Sequence, residues 1–346
     1  MTLDLNSDGI GSGSRARGPC RNDEAAAGPR PPNLAGSLEM TPPVPAKPGS
    51  AKRRGARLRR QQLAGLLFVA PAVLLVIVFF LVPLGMAFWM SLHNWPLLGR
   101  PRFIGFTNYL NLASDQRFWN AMRFTGYYTV IVTIAIFAVA FPLALFVEKA
   151  RPLTKLYRTA IFLPVVVGFG SASLLWAWLM NVDVGLFSPL AYRLGLTEKP
   201  VNLLASFDTT FWSIIVMVVW KTAGFNMIIL LTGLQGISSE VQEAARMDGA
   251  SPWQRFRRIT LPLMRRTIAL ALILSVAGSV LAFDQFYIIA DGGPQNSTVT
   301  AVYWIFSQSF VSFRLGYGAA MSMVLLVILV TISVVQLRLL RTPEGA

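Results

Sequence analysis

Residues 240–264 read EVQEAARMDGASPWQRFRRITLPLM, a polar interruption between two long apolar stretches. The run is too charged to lie in hydrocarbon, where a central Arg or Asp costs about 2.5–3.5 kcal/mol on insertion scales. It is also too patterned for an irregular loop. Ser251 is placed as an N-cap, Pro252 takes the first helical position and Gln254 completes a capping box. Ahead of them, Val241, Ala244, Ala245 and Met247 recur at helical spacing and predict an apolar face. Gly249, between Asp248 and Ala250, can take the positive φ of a turn. The stretch therefore predicts helix, tight turn, helix, lying at a membrane surface.

The apolar stretches on either side set the fold class. The chain is 54% hydrophobic and only 14% charged, the composition of an integral membrane protein. A spanning helix needs about 20 mostly apolar residues. Six stretches qualify, at about 64–92, 120–147, 156–180, 211–234, 267–290 and 317–340. The expectation is an all-α, polytopic membrane protein with six transmembrane helices and the polar loop between spans four and five. The first stretch is too long and too far from the N-terminus for an ordinary signal peptide. A single cysteine, Cys20, excludes an internal disulfide framework and any cysteine-based metal cluster. A single histidine, His93, argues against a His-rich metal site or a Ser-His-Asp triad, and is placed as an interfacial residue ending a span.

The net charge is +15, and its distribution carries the information. Lys and Arg concentrate in residues 1–63, 148–158 and 235–266. The opposite side holds Arg100, Arg102, Arg117, Arg123, Arg193, Lys199 and Arg314. By the positive-inside rule both termini and the polar loop face the cytoplasm. Residues 1–62 are rich in Gly, Pro, Ala and Arg without apolar periodicity, and predict a disordered basic cytoplasmic tail. Its cluster Lys52, Arg53, Arg54, Arg57, Arg59 and Arg60 abuts the first span, where it orients the chain and attracts anionic headgroups of the bilayer. No nucleic-acid partner is expected. Residues 63–346 are the transmembrane domain.

Glu243-Ala244-Ala245, then Gly249 after three residues, then Ile259 and Leu261-Pro262, resembles the EAA loop of permease subunits of bacterial ABC importers. Asp248, Ala250 and Phe256 make it similar to the carbohydrate-uptake branch, with its maltose-type and glycerol-phosphate-type permeases. One departure is Arg266, where relatives often carry Pro. Further matches are Phe103-Ile104-Gly105-Phe106-Thr107-Asn108-Tyr109-Leu110, Phe118-Trp119-Asn120-Ala121, Trp220 to Asn226, and Phe283-Asp284 with Tyr287 leading to Gly292-Gly293-Pro294. The resemblance covers residues 60–340. It implies that the loop docks in a groove of a cytoplasmic ATPase subunit, so Glu243, Ala244, Ala245, Asp248, Gly249, Ala250, Phe256, Ile259, Leu261 and Pro262 are the expected coupling residues. It also implies a second permease subunit, two ATP-binding subunits and an extracytoplasmic solute-binding protein as partners. The location it implies is the bacterial inner membrane. ATP and Mg are expected on the ATPase and no cofactor or metal on this chain.

Lys221 and Asp284 are the ionisable residues inside spans four and five. Intramembrane charges usually face a bundle interior or an aqueous cavity and find a partner. Two readings stay open: a solute-pathway or gating contact, or a structural pair locking two helices. Trp220, Asn226, Phe283, Gln285 and Tyr287 add the aromatic faces and amides that a sugar prefers. Gly292-Gly293-Pro294 predicts a sharp turn; the resemblance makes it a contact for the binding protein, and a plain turn is the other reading. No GxxxxGK[ST] phosphate loop is present, so ATP hydrolysis belongs to another chain and this one performs no covalent chemistry. The function expected is an importer permease for a sugar or polyol. The alternatives are a glycerol-phosphate permease and, less well supported, a secondary transporter, which would show paired repeats. Lys221 as the one clear mid-membrane cation favours a neutral solute.

Overall fold

The computed structural model describes residues 65, 67–149, 152–195 and 202–340. The basic tail assigned to residues 1–62, with Cys20, lies outside the described residues. The described residues from Val69 onward belong to one compact unit. In chain order the helices are α1 Leu67–Ser91, α2 Thr107–Ala113, α3 Gln116–Glu148, α4 Thr154–Val166, α5 Phe169–Met180, α6 Phe187–Arg193, α7 Phe207–Gln235, α8 Ser239–Met247, α9 Pro252–Leu263, α10 Arg265–Val280, α11 Ala301–Phe306 and α12 Leu315–Leu340. A two-stranded antiparallel hairpin, β1 His93–Asn94 with β2 Arg102–Phe103, follows α1.

Four helices, α1, α3, α7 and α12, are long and apolar enough to cross a membrane. Six spans result only if two bent pairs each count as one. The stretch read as one span over 156–180 is α4 and α5, bent by 94°. Pro164 inside α4 removes a backbone donor, and Val167 and Gly168 are extended, with ψ of 134° and 150°. The stretch read as one span over 267–290 is likewise interrupted. Helix α10 stops at Val280, residues 281–283 are not helical, and a π-helical turn resumes at Phe286–Ala290. The freed Ala282 carbonyl accepts from Thr300 Oγ1 at 2.8 Å. Pairs α9 and α10 meet at Met264 with a 70° bend.

Local chemistry explains the long helices. Asp115 caps α3, its Oδ1 accepting from the backbone of Arg117 and Phe118 at 2.9 and 3.2 Å. Ser206 caps α7 through Thr209 N–H at 3.3 Å. The largest core cluster joins α3, α5 and α7 around Tyr128, Trp176, Phe211 and Phe286. A second joins the far halves of α3 and α7 through Ala140, Ala144, Met227 and Leu230, with Met264 and Ala271. Small residues there let helices approach closely, as lipid-embedded packing requires. Gly224 is the tightest such point between α4 and α7, because a Cβ would stand 2.3 Å from the Ile161 carbonyl oxygen. Helix α1 is different, with no residue buried across its most apolar window. An all-round apolar surface is what lipid demands. His93, just past α1, is buried among Trp89, Trp95 and Phe103, with its Nδ1 2.7 Å from the Trp89 carbonyl.

Candidate functional site

The polar loop folds as its residues dictate. Helix α8 ends with Gly249 at φ +75°, where a non-Gly residue would be strained. Ala250 N–H donates to the Ala245 carbonyl at 3.1 Å and Gly249 N–H to Arg246 at 3.0 Å, a Schellman end. Two residues later α9 starts with Ser251 as N-cap and Pro252 at its first position. Ser251 Oγ accepts from Gln254 N–H at 3.3 Å, and Gln254 Oε1 accepts from Ser251 N–H at 2.8 Å. Both ends of the turn are therefore satisfied locally.

The buried face of α8 differs from the expected one. Ala245 is buried, but Val241, Ala244 and Met247 are exposed, Met247 at 88%. The inward face is Ala245 with half-buried Gln242, whose Nε2 reaches Thr260 Oγ1 at 3.5 Å. Period identifies a helix, whereas the neighbouring element decides which face it covers. The expected coupling residues divide accordingly. Glu243, Ala244, Asp248, Gly249 and Leu261 are exposed, while Ala245 is buried and Ala250, Phe256, Ile259 and Pro262 are half-buried. Phe256 packs edge-on against Phe141 of α3 at 5.5 Å and stacks on Trp253 at 5.7 Å.

Deeper in the bundle, a cavity of about 190 Å³ is lined by Tyr128, Thr222, Asn226, Ser275, Ser279 and Gln285 among others. Gln285 Nε2 donates to Tyr128 OH at 3.2 Å, and Ser275 Oγ donates to Asn226 Oδ1 at 2.8 Å. Among the described residues no Lys, Arg, Asp or Glu lines it. Its volume is below the ~300–1,000 Å³ typical of drug-sized ligand sites, so this conformation is closed to an oligosaccharide. Of the expected pathway residues, Asn226 and Gln285 meet here. Tyr128, Ser275 and Ser279 were not expected; the sequence signal for the serines is their i, i+4 spacing on one face of α10.

Lys221 and Asp284 do not pair. Lys221 is 4% exposed and donates Nζ hydrogen bonds to the carbonyls of Pro164 at 3.3 Å, Val165 at 3.4 Å and Val167. Its Nζ also stands 4.7 Å from the Phe169 ring centroid. The ammonium thus caps the broken end of α4, where helix-terminal carbonyls gather negative charge. Half-buried Asp284 makes no hydrogen bond or ion pair among the described residues. Trp220 lies off the cavity and packs on Trp176 at 5.6 Å. Phe283 stacks on Tyr287 at 5.1 Å, and both contact Tyr303 and Phe306 in a separate aromatic cluster.

Gly292-Gly293-Pro294 forms the expected turn, with Gly292 at φ +73° and Thr298 Oγ1 donating to the Gly293 carbonyl at 2.6 Å. Gly292 itself is buried, and the exposed tip is Gln295, Asn296 and Ser297. Tyr303 OH donates to Asp291 Oδ1 at 3.0 Å. Burial first, and the adjacent carboxylate second, push the Tyr303 phenol up to about 12, so it stays a donor at neutral pH.

Residues 110–341 match the family described as binding-protein-dependent transport system inner membrane component. The chain is 30% identical, over 81% of its own length and 94% of the relative's, to the trehalose/maltose transport system permease protein MalF of Thermococcus litoralis. It is also 30% identical to the sn-glycerol-3-phosphate transport system permease protein UgpA of Agrobacterium fabrum, over 79% and 92% of the two chains. Its fold is similar to a chain of a bacterial alginate ABC transporter crystallised with an alginate pentasaccharide-bound periplasmic protein. The TM-score is 0.69 at 22% identity, covering 83% of this chain and 96% of that one.

Proposed function

The chain belongs to the family of binding-protein-dependent transport system inner membrane components, and on that premise we propose that it is the permease subunit of an ATP-driven importer carrying a sugar or related polyol. It is a multi-pass membrane protein and a transport component, not an enzyme. The observation that carries the reading is the family match across residues 110–341, which contains an exposed helix–turn–helix capped at both ends of its turn. In this reading the six spans are α1, α3, the bent pair α4–α5, α7, α12 and, as the fifth, α10 continued by the Phe286–Ala290 turn, with α9 left at the membrane surface rather than joined to α10. With both termini cytoplasmic, the loop faces the ATPase, and the turn at Gly292-Gly293-Pro294 faces the solute-binding protein. A cysteine placed at Asn296 should then label with an impermeant thiol reagent in intact cells; protection there would overturn this orientation.

In this reading a second permease completes the pore and two ATPase subunits, which hold ATP and Mg, sit below it. ATP binding closes the ATPase pair. Glu243, Asp248 and Gly249 transmit that movement, and the pathway opens to receive solute from the binding protein. Hydrolysis resets it.

The solute chemistry rests on the cavity. Hydroxyls and amides line it together with apolar Ile136, Phe169, Val218, Phe225 and Leu274, and Lys221, which does not line it, is held by three carbonyls. A dianionic phosphate would lose hydration there without gaining a counter-charge. The uncharged lining favours a neutral hydroxyl-rich solute, which a wider conformation than this one would admit, and glycerol phosphate is the rival because one of the 30% relatives carries that name. Uptake competition in cells holding the complete system separates them. Neutral sugars or polyols should compete; competition by micromolar glycerol phosphate alone would sink the neutral-solute reading.

A further inference from the structure

A second and larger cleft, of about 900 Å³, lies between the C-terminal half of α3 and helices α8 and α9, reached by half-buried Gln242 and Arg255 and by exposed Arg246. One end is cationic: among the described residues Lys149, Arg246 and Arg255 line it, against the single carboxylate of Glu148. Arg255 Nε is buried and makes no hydrogen bond among the described residues. A buried guanidinium N–H without an acceptor is costly, so the geometry asks for an anion. The other end is apolar. Phe137, Phe141 and Leu145 continue along one stripe of α3, and Trp253 and Phe256 close the side. From Lys149 to Phe137 the helix rises roughly 18 Å at 1.5 Å per residue. That matches one leaflet of a hydrocarbon core about 30 Å thick.

We propose that this cleft is a binding site for an anionic phospholipid, with its phosphate on Arg246 and Arg255 and one acyl chain along Phe137, Phe141 and Leu145. A free phosphate would use the cations and leave the apolar stripe without purpose. A soluble protein partner would not reach one leaflet deep along a spanning helix. Basic pockets at helix ends are a known mode of headgroup recognition, and an interfacial tryptophan such as Trp253 suits the same depth. The cleft uses Gln242 and Arg246 of α8, whereas Glu243, Ala244, Met247 and Asp248 are exposed outside it. Of the expected coupling residues only Phe256 lines the cleft, so the exposed coupling face lies outside it, and the site's test involves no transport readout.

The full chain is purified in detergent, and native mass spectrometry measures retention of dioleoylphosphatidylglycerol against dioleoylphosphatidylcholine, with inorganic phosphate as competitor. The wild type should retain phosphatidylglycerol preferentially, and the preference should fall roughly fivefold for each arginine lost in R246Q and R246Q/R255Q. R257Q/R258Q removes two exposed cations that do not line the cleft and should keep the preference. Leu145→Trp fills the apolar end with the arginines intact and should also lower retention, which guards against a double variant that merely folds poorly. Equal retention of the two lipids, a preference that survives R246Q/R255Q, or full displacement by millimolar phosphate overturns the proposal. So does cross-linking of Leu145→Cys to the ATPase in the assembled transporter, which would make the cleft a protein interface.

Discussion

Of the places in this molecule that end one helix and begin another within four residues, two do it by opposite means. At Gly249 every device is local. A glycine takes the positive φ, two backbone bonds close α8, and a Ser-Pro-x-Gln box opens α9. At Val167–Gly168 neither flanking position makes a side-chain cap. The open carbonyls of α4 are met instead by Lys221, a residue 54 positions away from Val167. The first turn is written into adjacent residues and the second into the packing of α7 on α4. One consequence is mechanical. A locally closed turn can move as a unit, as a coupling element requires, whereas the α4–α5 break is pinned to the bundle interior.

The sharpest test of that contrast removes the pin. Lys221→Met should strand two or three helix-terminal carbonyls, at about 1–3 kcal/mol for each buried acceptor left unpaired. The expected result is a large drop in thermal stability in detergent, together with weakened uptake. Lys221→Arg, which keeps the charge and donors, should recover part of both. A Lys221→Met protein as stable as wild type would show that the break does not depend on the distant cation.

The matching change at the local turn should do less. Nothing lies within 4 Å of a Cβ built at Gly249, so a substitution there meets backbone strain alone. Left-handed backbone costs a non-Gly residue about 1–2 kcal/mol, and Asn tolerates it better than a β-branched residue. Gly249→Val should leave membrane insertion and global unfolding nearly unchanged while lowering solute-stimulated ATP hydrolysis; Gly249→Asn should be milder. Normal coupling in Gly249→Val would remove the turn from the mechanism.

The same contrast explains what could be read from the residues. The four unbroken spans and the whole helix–turn–helix were legible, because hydropathy and capping are properties of neighbours in sequence. The two breaks were not. Hydropathy averages over a window and is blind to a 94° bend inside it. Lys221 was legible as an intramembrane cation but not its partners, because backbone carbonyls leave no signature in composition. The Gln285–Tyr128 bond joins residues 157 apart and has no local signal either. On α8 the period was right, yet Ala245 is buried where Val241 and Met247 are exposed, and it is Gln242 that reaches Thr260 of α9. The EAA-like residues show the same split, since half of the expected docking set is occupied in packing the loop.

Asp284 gives the smallest expected effect on stability and the finest test. Read beside Lys221, it invited an ion pair, and breaking a buried pair typically costs about 3–5 kcal/mol. Among the described residues it has no partner, so Asp284→Asn should shift stability by no more than about 0.5 kcal/mol. A small gain is physically reasonable, because the substitution takes a charge out of a half-buried, unpaired position. If Asp284 meets the solute, the same variant should raise the KM of uptake with little change in melting temperature. A melting-temperature loss comparable to that of Lys221→Met would instead restore the paired reading and place both residues in one structural lock. An unchanged KM with unchanged stability would take Asp284 out of the pathway and leave Asn226 and Gln285, the two expected pathway residues that line the cavity, to carry it.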